Sequence, residues 1–248
     1  MDALDDIATC NKAIGSLRNA SNFAKWSVSL IDKYIGERVL EVGGGIGTFT
    51  DFFVDKEILL TTEIDDDCFM TLSSKYRNNN NVEVVNENIL NDKFIENAKE
   101  KYFDTVICFN VLEHIDNDIE AIKNMKECIK KDGGHLIIRV PAFNLLYSKL
   151  DKNVGHFRRY TKKSMLKKLS LFDDLEIIEL FYMDIVGFFA WFFLFKIIGK
   201  ESFASEGQIG LYDKLFVPFF SKIEKMINYP FGLTLFAICR KKKEKRDD

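Results

Sequence analysis

One stretch of the chain places an acidic side chain before three alternating glycines. Glu41 precedes Gly43, Gly45 and Gly47 at the end of an apolar run. Glycine adopts positive φ readily, so a glycine-rich turn lets a ligand approach the main chain closely. A helix that starts after such a turn offers unpaired N–H groups to the ligand. The spacing predicts a cofactor site, and an ordinary turn between a strand and a helix is the alternative.

The glycine spacing differs from the dinucleotide-binding fingerprint G-x-G-x-x-G. Counted from Gly43, the third glycine of that fingerprint would fall at Thr48. An NAD-dependent oxidoreductase is therefore disfavoured, although it stays open as an alternative.

Polar side chains that could bind a ligand fall at the ends of four predicted strands. Glu41, Glu63, Asn88 and Asn110 each follow a short apolar run. Ligands of open parallel sheets bind beyond the carboxyl ends of the strands. We therefore expect these four side chains to lie along one edge of the sheet.

A second polar stretch, residues 155–160, reads G-H-F-R-R-Y. Arg158 and Arg159 carry planar forks that recognise carboxylate or phosphate groups, and Tyr160 adds a phenol. We predict that these three side chains contact the substrate. In the alternative interpretation the arginines form salt bridges with a helix.

Two histidines are candidates for a general base, because imidazole titrates near neutral pH. His156 lies in the second polar stretch and is the first candidate. His114 follows the fourth predicted strand and is the second. The alternative for both is structural, since a histidine can cap a turn or order a loop.

The surrounding elements alternate between strand and helix from residue 38 to 140, and the strands are continuous apolar runs. Such runs are expected where helices cover both faces of a sheet. The pattern predicts an α/β fold with a doubly wound, mostly parallel sheet. Predicted strands cover 38–42, 58–62, 82–85, 103–109, 136–140, 175–182 and 233–240, and predicted helices cover 2–20, 22–34, 48–54, 66–75, 116–129 and 164–170.

We interpret the chain, residues 1–248, as a single domain. About fifty residues separate the last two strands, far more than a hairpin turn needs, and we predict a helical insertion there. The predicted parts are N-terminal helices (1–36), a core (37–182), the insertion (183–230), and a last strand with a basic tail (231–248).

The insertion carries an aromatic run, with five phenylalanines and a tryptophan between residues 185 and 195. The apolar run is shorter than the roughly twenty residues that a membrane-spanning helix needs. Three interpretations remain: a buried helix, a lid over an apolar substrate, or a helix over 185–198 in contact with a membrane interface.

Composition excludes some classes of function. The net charge of −3 gives no overall field that would attract nucleic acid. The five cysteines lack metal-site spacing, so we expect no metal and reduced thiols. Residues 1–6 are acidic, unlike the start of a signal peptide. We therefore expect a cytoplasmic protein, with the inner face of the membrane as an alternative location.

The spacing E-x-G-x-G-x-G from Glu41 to Gly47 resembles the first motif of the class I S-adenosylmethionine-dependent methyltransferases. The sequence N-V-L-E-H-I at 110–115 resembles the motif after the fourth strand in the ubiquinone-biosynthesis-like group. The G-H-x-R-R-Y loop is similar to that of a subset associated with polysaccharide or lipid-linked sugar pathways. The resemblance implies a Rossmann-like, seven-stranded sheet with an antiparallel last strand, and S-adenosylmethionine as cofactor.

The resemblance also implies a role for each cofactor-site residue. Glu41 would balance positive charge or order the turn, and Glu63 would bind the ribose hydroxyls, with Asp65 as competitor. Asn88 would accept a hydrogen bond from the adenine amino group, and Asn110 would lie near the methionine part. Beside these four, the predicted cofactor contacts are Gly43, Gly45, Gly47, Ile64 and Ile89, of which the two isoleucines would enclose the adenine ring.

The implied reaction is methyl transfer to a small-molecule, saccharide or lipid-linked acceptor. Trp26, on the predicted helix 22–34, is a further candidate for substrate contact. A non-catalytic S-adenosylmethionine-binding sensor or partner subunit is the alternative function. The sequence does not identify the acceptor or the oligomeric state.

Overall fold

The computed structural model describes residues 20–130, 133–200, 206–224 and 229–242. The helix predicted over 2–20 and most of the basic tail lie outside the described residues.

A seven-stranded sheet forms the centre of the molecule, in the order β3-β2-β1-β4-β5-β7-β6. Strands β1 to β5 pair in parallel, whereas β7 runs antiparallel to both of its neighbours, β5 and β6. The predicted Rossmann-like sheet with an antiparallel last strand is confirmed. The strands are β1 Arg38–Val42, β2 Ile58–Thr62, β3 Val82–Val85, β4 Thr105–Phe109, β5 His135–Pro141, β6 Leu175–Met183 and β7 Thr234–Lys241.

Helices cover both faces of the sheet and supply most of the connections between strands. Neighbouring residues of β1 show why the strand is apolar throughout: Val39 and Leu40 are both fully buried but belong to different core clusters. Successive side chains of a strand point to opposite faces, so each face needs its own apolar set. The described helices are α1 Ser21–Ser29, α2 Asp66–Tyr76, α3 Asp92–Lys99, α4 Asp118–Glu127, α5 Lys149–Asn153, α6 Lys162–Leu169, α7 Ile185–Trp191, α8 Glu206–Leu215 and α9 Val217–Glu224.

Several predicted helix boundaries were wrong for local reasons. The helix expected over 48–54 is only a 3-10 turn, Thr50–Phe52, and the Thr50 hydroxyl binds Glu41 instead of capping a helix. The helix expected over 22–34 ends at Ser29 and is followed by a 3-10 turn. The helix expected over 116–129 begins at Asp118, and Asn117 caps it by accepting a hydrogen bond from the Glu120 amide.

Two helices were not predicted. Helix α3 is capped by Asn91, whose side chain accepts from the Lys93 amide. Helix α5 precedes the second polar stretch, and a capping box formed by Ser148 and Asp151 starts it.

The described part of the insertion 183–230 is helical and is anchored through buried acids. Asp184, in a left-handed conformation, accepts hydrogen bonds from the Gly187 amide and the Tyr212 hydroxyl. Asp213 accepts from the amides of Asn22 and Phe23, which ties α8 to the start of α1. Helix α7 continues as a π-helix over Phe192–Ile197. Among the described helices, none is long and apolar enough to cross a membrane. The division of the chain into domains stays a prediction.

Candidate active site

The glycine turn follows β1 and has a backbone that other residues would strain. Gly43, Gly45 and Gly47 have φ angles of 77°, 56° and 86°. At Gly43 a Cβ atom would lie 2.2 Å from Cγ2 of Val111, so the close approach of the loop after β4 also requires glycine. The amides of Gly43 and Gly44 donate to the Thr62 carbonyl, which fastens the turn to the end of β2.

Glu63 closes this turn from the other side. One carboxylate oxygen accepts from the Gly45 amide at 2.7 Å, and the other accepts from the amides of Ile64 and Asp65 at 2.8 and 2.9 Å. Its competitor Asp65 is used elsewhere, because its side chain caps α2 through the Cys68 amide. Of the two acids, Glu63 is the one that lies against the glycine turn.

Glu41 orders the turn from beneath. Its side chain is buried, and one oxygen accepts from the Thr50 hydroxyl at 2.6 Å. Burial raises the pKa of Glu41 to about 7. Of the two roles expected for this acid, the contacts in the structure correspond to ordering the turn.

The remaining predicted cofactor residues differ in their access to a ligand. Ile64 is 64% exposed, whereas Ile89 is 3% exposed and packs in the core, so Ile64 alone of the pair presents a face to an adenine ring. Asn88 is exposed, and its side-chain oxygen accepts from the Leu90 amide. Asn110, with a φ of 54°, ends β4 and donates its amide to the Arg139 carbonyl.

The predicted substrate contacts of the second polar stretch are occupied by internal partners. Arg159 is buried and forms a bidentate pair with Asp151, at 2.7 and 3.1 Å. Arg158 pairs with Asp116 and Asp118. These contacts correspond to the structural alternative, in which the arginines hold the loop.

Two aromatic side chains that were expected to contact substrate are buried as well. The Tyr160 hydroxyl donates to Asp118 at 2.8 Å, and the ring is 1% exposed. Trp26 is 4% exposed and packs in the core edge-on against Phe23. Neither side chain presents a surface to an acceptor in this structure.

His156 is held by Asp151 and faces a second acid. Its Nδ1 lies 2.9 Å from Asp151, and its Nε2 lies 3.9 Å from Glu113. Burial alone would raise the pKa of Asp151, but the hydrogen bond with His156 and the charge of Arg159 outweigh it and lower the pKa to about 2. An ionised Asp151 accepts the Nδ1 proton, so Nε2 is the nitrogen left free to accept a proton.

The ring of His114 packs edge-on against His156 at 4.6 Å. Burial and the neighbouring His156 charge lower the pKa of His114 to about 4, so it is neutral at physiological pH. Glu113, Asp151 and the buried Arg139 were not predicted as site residues. Asp151 lies five residues before His156 in the sequence, but nothing in the sequence indicates the burial of Glu113.

Glu113, His114 and His156 together could hold a metal ion. One ligand atom from each lies within 4.8 Å of the other two. Two imidazoles and a carboxylate suit several divalent transition metals. The sequence led us to expect no metal, whereas this cluster provides ligands for one among the described residues.

Comparisons with known proteins agree with the fold. A family model described as a methyltransferase domain matches residues 29–181, more than half of the chain. A ubiquinone biosynthesis O-methyltransferase of Rickettsia akari (strain Hartford) is 28% identical over 119 residues, which cover 44% of this chain and 46% of that protein. The match therefore spans less than half of the relative's length.

Two solved structures share the fold at low sequence identity. A SAM-dependent methyltransferase from Archaeoglobus fulgidus has a TM-score of 0.56 at 17% identity, covering 89% of this chain and 94% of its own. The N-methyltransferase NodS from Bradyrhizobium japonicum WM9, in complex with S-adenosylhomocysteine, has a TM-score of 0.52 at 13% identity, covering 88% and 84%. At these identities the likeness shows the fold alone.

Burial raises the pKa of Glu113 from 4.5 to about 7. Between those pH values the folded protein binds a proton that the unfolded chain has lost, so this group lowers stability as the pH rises from 4.5 through 7. Glu113→Gln removes the titration. We expect the free energy of unfolding of Glu113→Gln, minus that of the unsubstituted protein, to be larger at pH 8 than at pH 5. The increase should be about 1.4 kcal/mol per unit of pKa shift.

Urea unfolding at both pH values measures the difference. Glu120→Gln is the matched control, because Glu120 is partly exposed and pairs with Lys123. A difference for Glu113→Gln that does not change with pH would contradict a raised pKa.

Proposed function

The chain belongs to the methyltransferase-domain family, and from that premise we propose that it transfers a methyl group from S-adenosylmethionine to an acceptor bound beside the glycine turn. The observation that carries the proposal is the turn itself, held by Glu63 at the carboxyl ends of β1 and β2. Ligands of open α/β sheets bind at this edge.

The cofactor is proposed to lie along the turn. Glu63 already accepts from three main-chain amides, which fixes the carboxylate, and of its roughly four acceptor sites one is left for a ribose hydroxyl. Ile64 would cover the adenine, and Asn88 would accept from the adenine amino group. Asn110, at the end of the neighbouring strand, would lie near the methionine part.

His156 is the proposed general base for a hydroxyl acceptor. As the acceptor oxygen bonds to the methyl carbon, its proton passes to Nε2 and the carbon–sulfur bond breaks, releasing S-adenosylhomocysteine. Asp151 acts as a positioning residue, since it holds Nδ1 and so directs Nε2 away from itself. His114 is the second candidate, and its low pKa makes it the weaker base. Placing the reactants in line would supply much of the rate enhancement.

The acceptor is proposed to carry an apolar part, as a lipid-linked saccharide does. The aromatic insertion adjoins the loop that carries His156: the Trp191 ring lies 4.5 Å from the Arg159 guanidinium, and its indole N–H donates to the Leu146 carbonyl. Phe188 packs edge-on against Phe143, whose amide donates to the Tyr160 carbonyl. These contacts between the aromatic insertion and the loop support an acceptor with an apolar part.

The outer side of the insertion is proposed to rest on an anionic membrane surface. Phe189, Phe193 and Ile197 recur every four residues and are each more than half exposed. Residues 185–200 include two lysines and no acid, and the one acid within 207–223, Asp213, is buried. Lys196 and Lys200 thus stand beside the exposed apolar side chains in the sequence. Apolar side chains flanked by lysines are typical of helices at a lipid interface.

The cofactor prediction is tested by calorimetry. S-adenosylhomocysteine should bind with micromolar affinity, about −8 kcal/mol, and NADH should not bind. Glu63→Gln should weaken binding by about 1.5–3 kcal/mol, through loss of a charged hydrogen bond to the ribose. Asp65→Asn is the matched control. If folded Glu63→Gln binds S-adenosylhomocysteine with unchanged affinity, the ribose contact belongs to another side chain.

The role of His156 as general base is tested by measuring the release of S-adenosylhomocysteine in the presence of acceptor fractions prepared from cell extracts. His156→Ala should lower turnover about 100-fold and leave cofactor affinity unchanged, and Asp151→Asn should lower turnover in the same direction. His135→Gln is the matched control, because His135 lies at the opposite end of β5. Cofactor binding without turnover on any fraction would instead favour the sensor or partner-subunit alternative.

Membrane contact is tested by sedimentation with vesicles. Lys196→Gln with Lys200→Gln should reduce binding to vesicles that contain an anionic lipid, more at low salt than at high salt. Lys163→Gln with Lys167→Gln, on α6, removes the same charge elsewhere and should have little effect. If both double variants lose vesicle binding equally, or if the unsubstituted protein does not bind vesicles, a membrane-binding surface on the insertion is contradicted.

A further inference from the structure

Arg139 is a buried cation without an ion-pair partner among the described residues. The side chain is 4% exposed, and its Nε has no hydrogen-bond partner in the part of the chain that the structure describes. A guanidinium carries five N–H donors, and removing it from water without acceptors costs several kcal/mol. The described part of the fold therefore holds a buried charge that no carboxylate binds directly.

Aromatic rings surround the guanidinium. Its central carbon lies 5.0 Å from the ring centre of Phe23, 5.2 Å from that of Phe49 and 5.9 Å from that of Phe109. Cation–π attraction offsets part of the desolvation. The rings do not replace the oxygen acceptors that guanidinium N–H groups bind in water.

The nearest acids act on Arg139 only through space. Burial lowers the pKa of Arg139 to about 10, and the charges of Glu113 and Asp184 oppose that effect. Asp184 already accepts from Tyr212 and Gly187. At neutral pH the guanidinium is protonated, and no acceptor among the described residues binds its Nε.

Arg139 also lies where a ligand would be. It pairs with Phe109 near the carboxyl end of β5, and its carbonyl accepts from the amide of Asn110. Phe49 comes from the segment just after the glycine turn, and Phe23 comes from α1. The cation is thus enclosed by α1, the segment after the glycine turn and the end of β4.

We propose that Arg139 is an anion-binding subsite, at which a carboxylate or phosphate group of the bound ligand docks against the guanidinium within an aromatic enclosure. This inference rests on the proposed function, because it assigns the charge of a ligand at the same strand ends. A planar carboxylate matches the guanidinium fork, and phenyl rings beside it suit an anionic group attached to an apolar body. The anion belongs either to the acceptor or to the amino-acid end of the cofactor.

The test compares Arg139→Met and Arg139→Lys with the unsubstituted protein. Arg240→Met is the matched control, since Arg240 is exposed and pairs with Glu176. Benzoate and inorganic phosphate are the probes, with sodium chloride at equal ionic strength as reference. The unsubstituted protein and Arg240→Met should show a saturable rise in Tm, Arg139→Met should lose it, and Arg139→Lys should keep part of it.

The source of the anion is resolved with two cofactor analogues. If Arg139→Met lowers the affinity for S-adenosylhomocysteine at least tenfold but leaves the affinity for 5′-methylthioadenosine unchanged, the cofactor carboxylate binds Arg139. If neither affinity changes while the benzoate and phosphate effects are lost, the acceptor supplies the anion.

The proposal is overturned if the unsubstituted protein shows no saturable response to either anion and Arg139→Lys binds S-adenosylhomocysteine normally. Arg139 would then be a packing residue. These two measurements decide the question even if Arg139→Met does not fold. Failure of the unsubstituted protein to bind S-adenosylhomocysteine at all would refute the proposed function, while the anion probes would still report on Arg139.

Discussion

The carboxylate of Glu63 joins two segments that the sequence keeps far apart. One oxygen accepts from Gly45 in the turn after β1, and the other accepts from the two amides that follow β2. A turn whose three glycines all have positive φ has many alternative conformations when unfolded, so a charged acceptor that fixes it removes that freedom. The rest of the proposed cofactor site depends on this link, because the adenine, ribose and methionine contacts are all placed relative to the turn.

A second buried acid organises the opposite side of the site. Asp151 binds His156 and Arg159 and also starts α5, so one carboxylate orients the proposed base, neutralises a buried cation and caps a helix. The loop after β4 lies between the two networks. Its Val111 packs against Gly43, while Glu113 faces His156. Movement of this loop would therefore affect the turn and the base together.

The sheet could be predicted from the sequence because its strands are continuous apolar runs that need no distant information. Strands β1, β2 and β3 have the predicted bounds. The sequence did not show that the segment after the glycine turn forms only a 3-10 turn. The hydrogen bond between Thr50 and Glu41 in this segment is seen only in the folded chain. The two arginines of the second polar stretch have the side chains of a substrate clamp. Their actual partners, Asp151 and Asp118, become visible only when the chain is folded. Arg139 was not predicted as a site residue because it stands within the apolar run of a central strand.

The central claim is that the turn held by Glu63 is a methyl-donor site. A crystal structure of the protein with S-adenosylhomocysteine tests it most directly. We expect a ribose hydroxyl within hydrogen-bonding distance of Glu63, and the sulfur at the end of β4. Bound S-adenosylhomocysteine away from the glycine turn, or a ribose that contacts neither oxygen of Glu63, would contradict it.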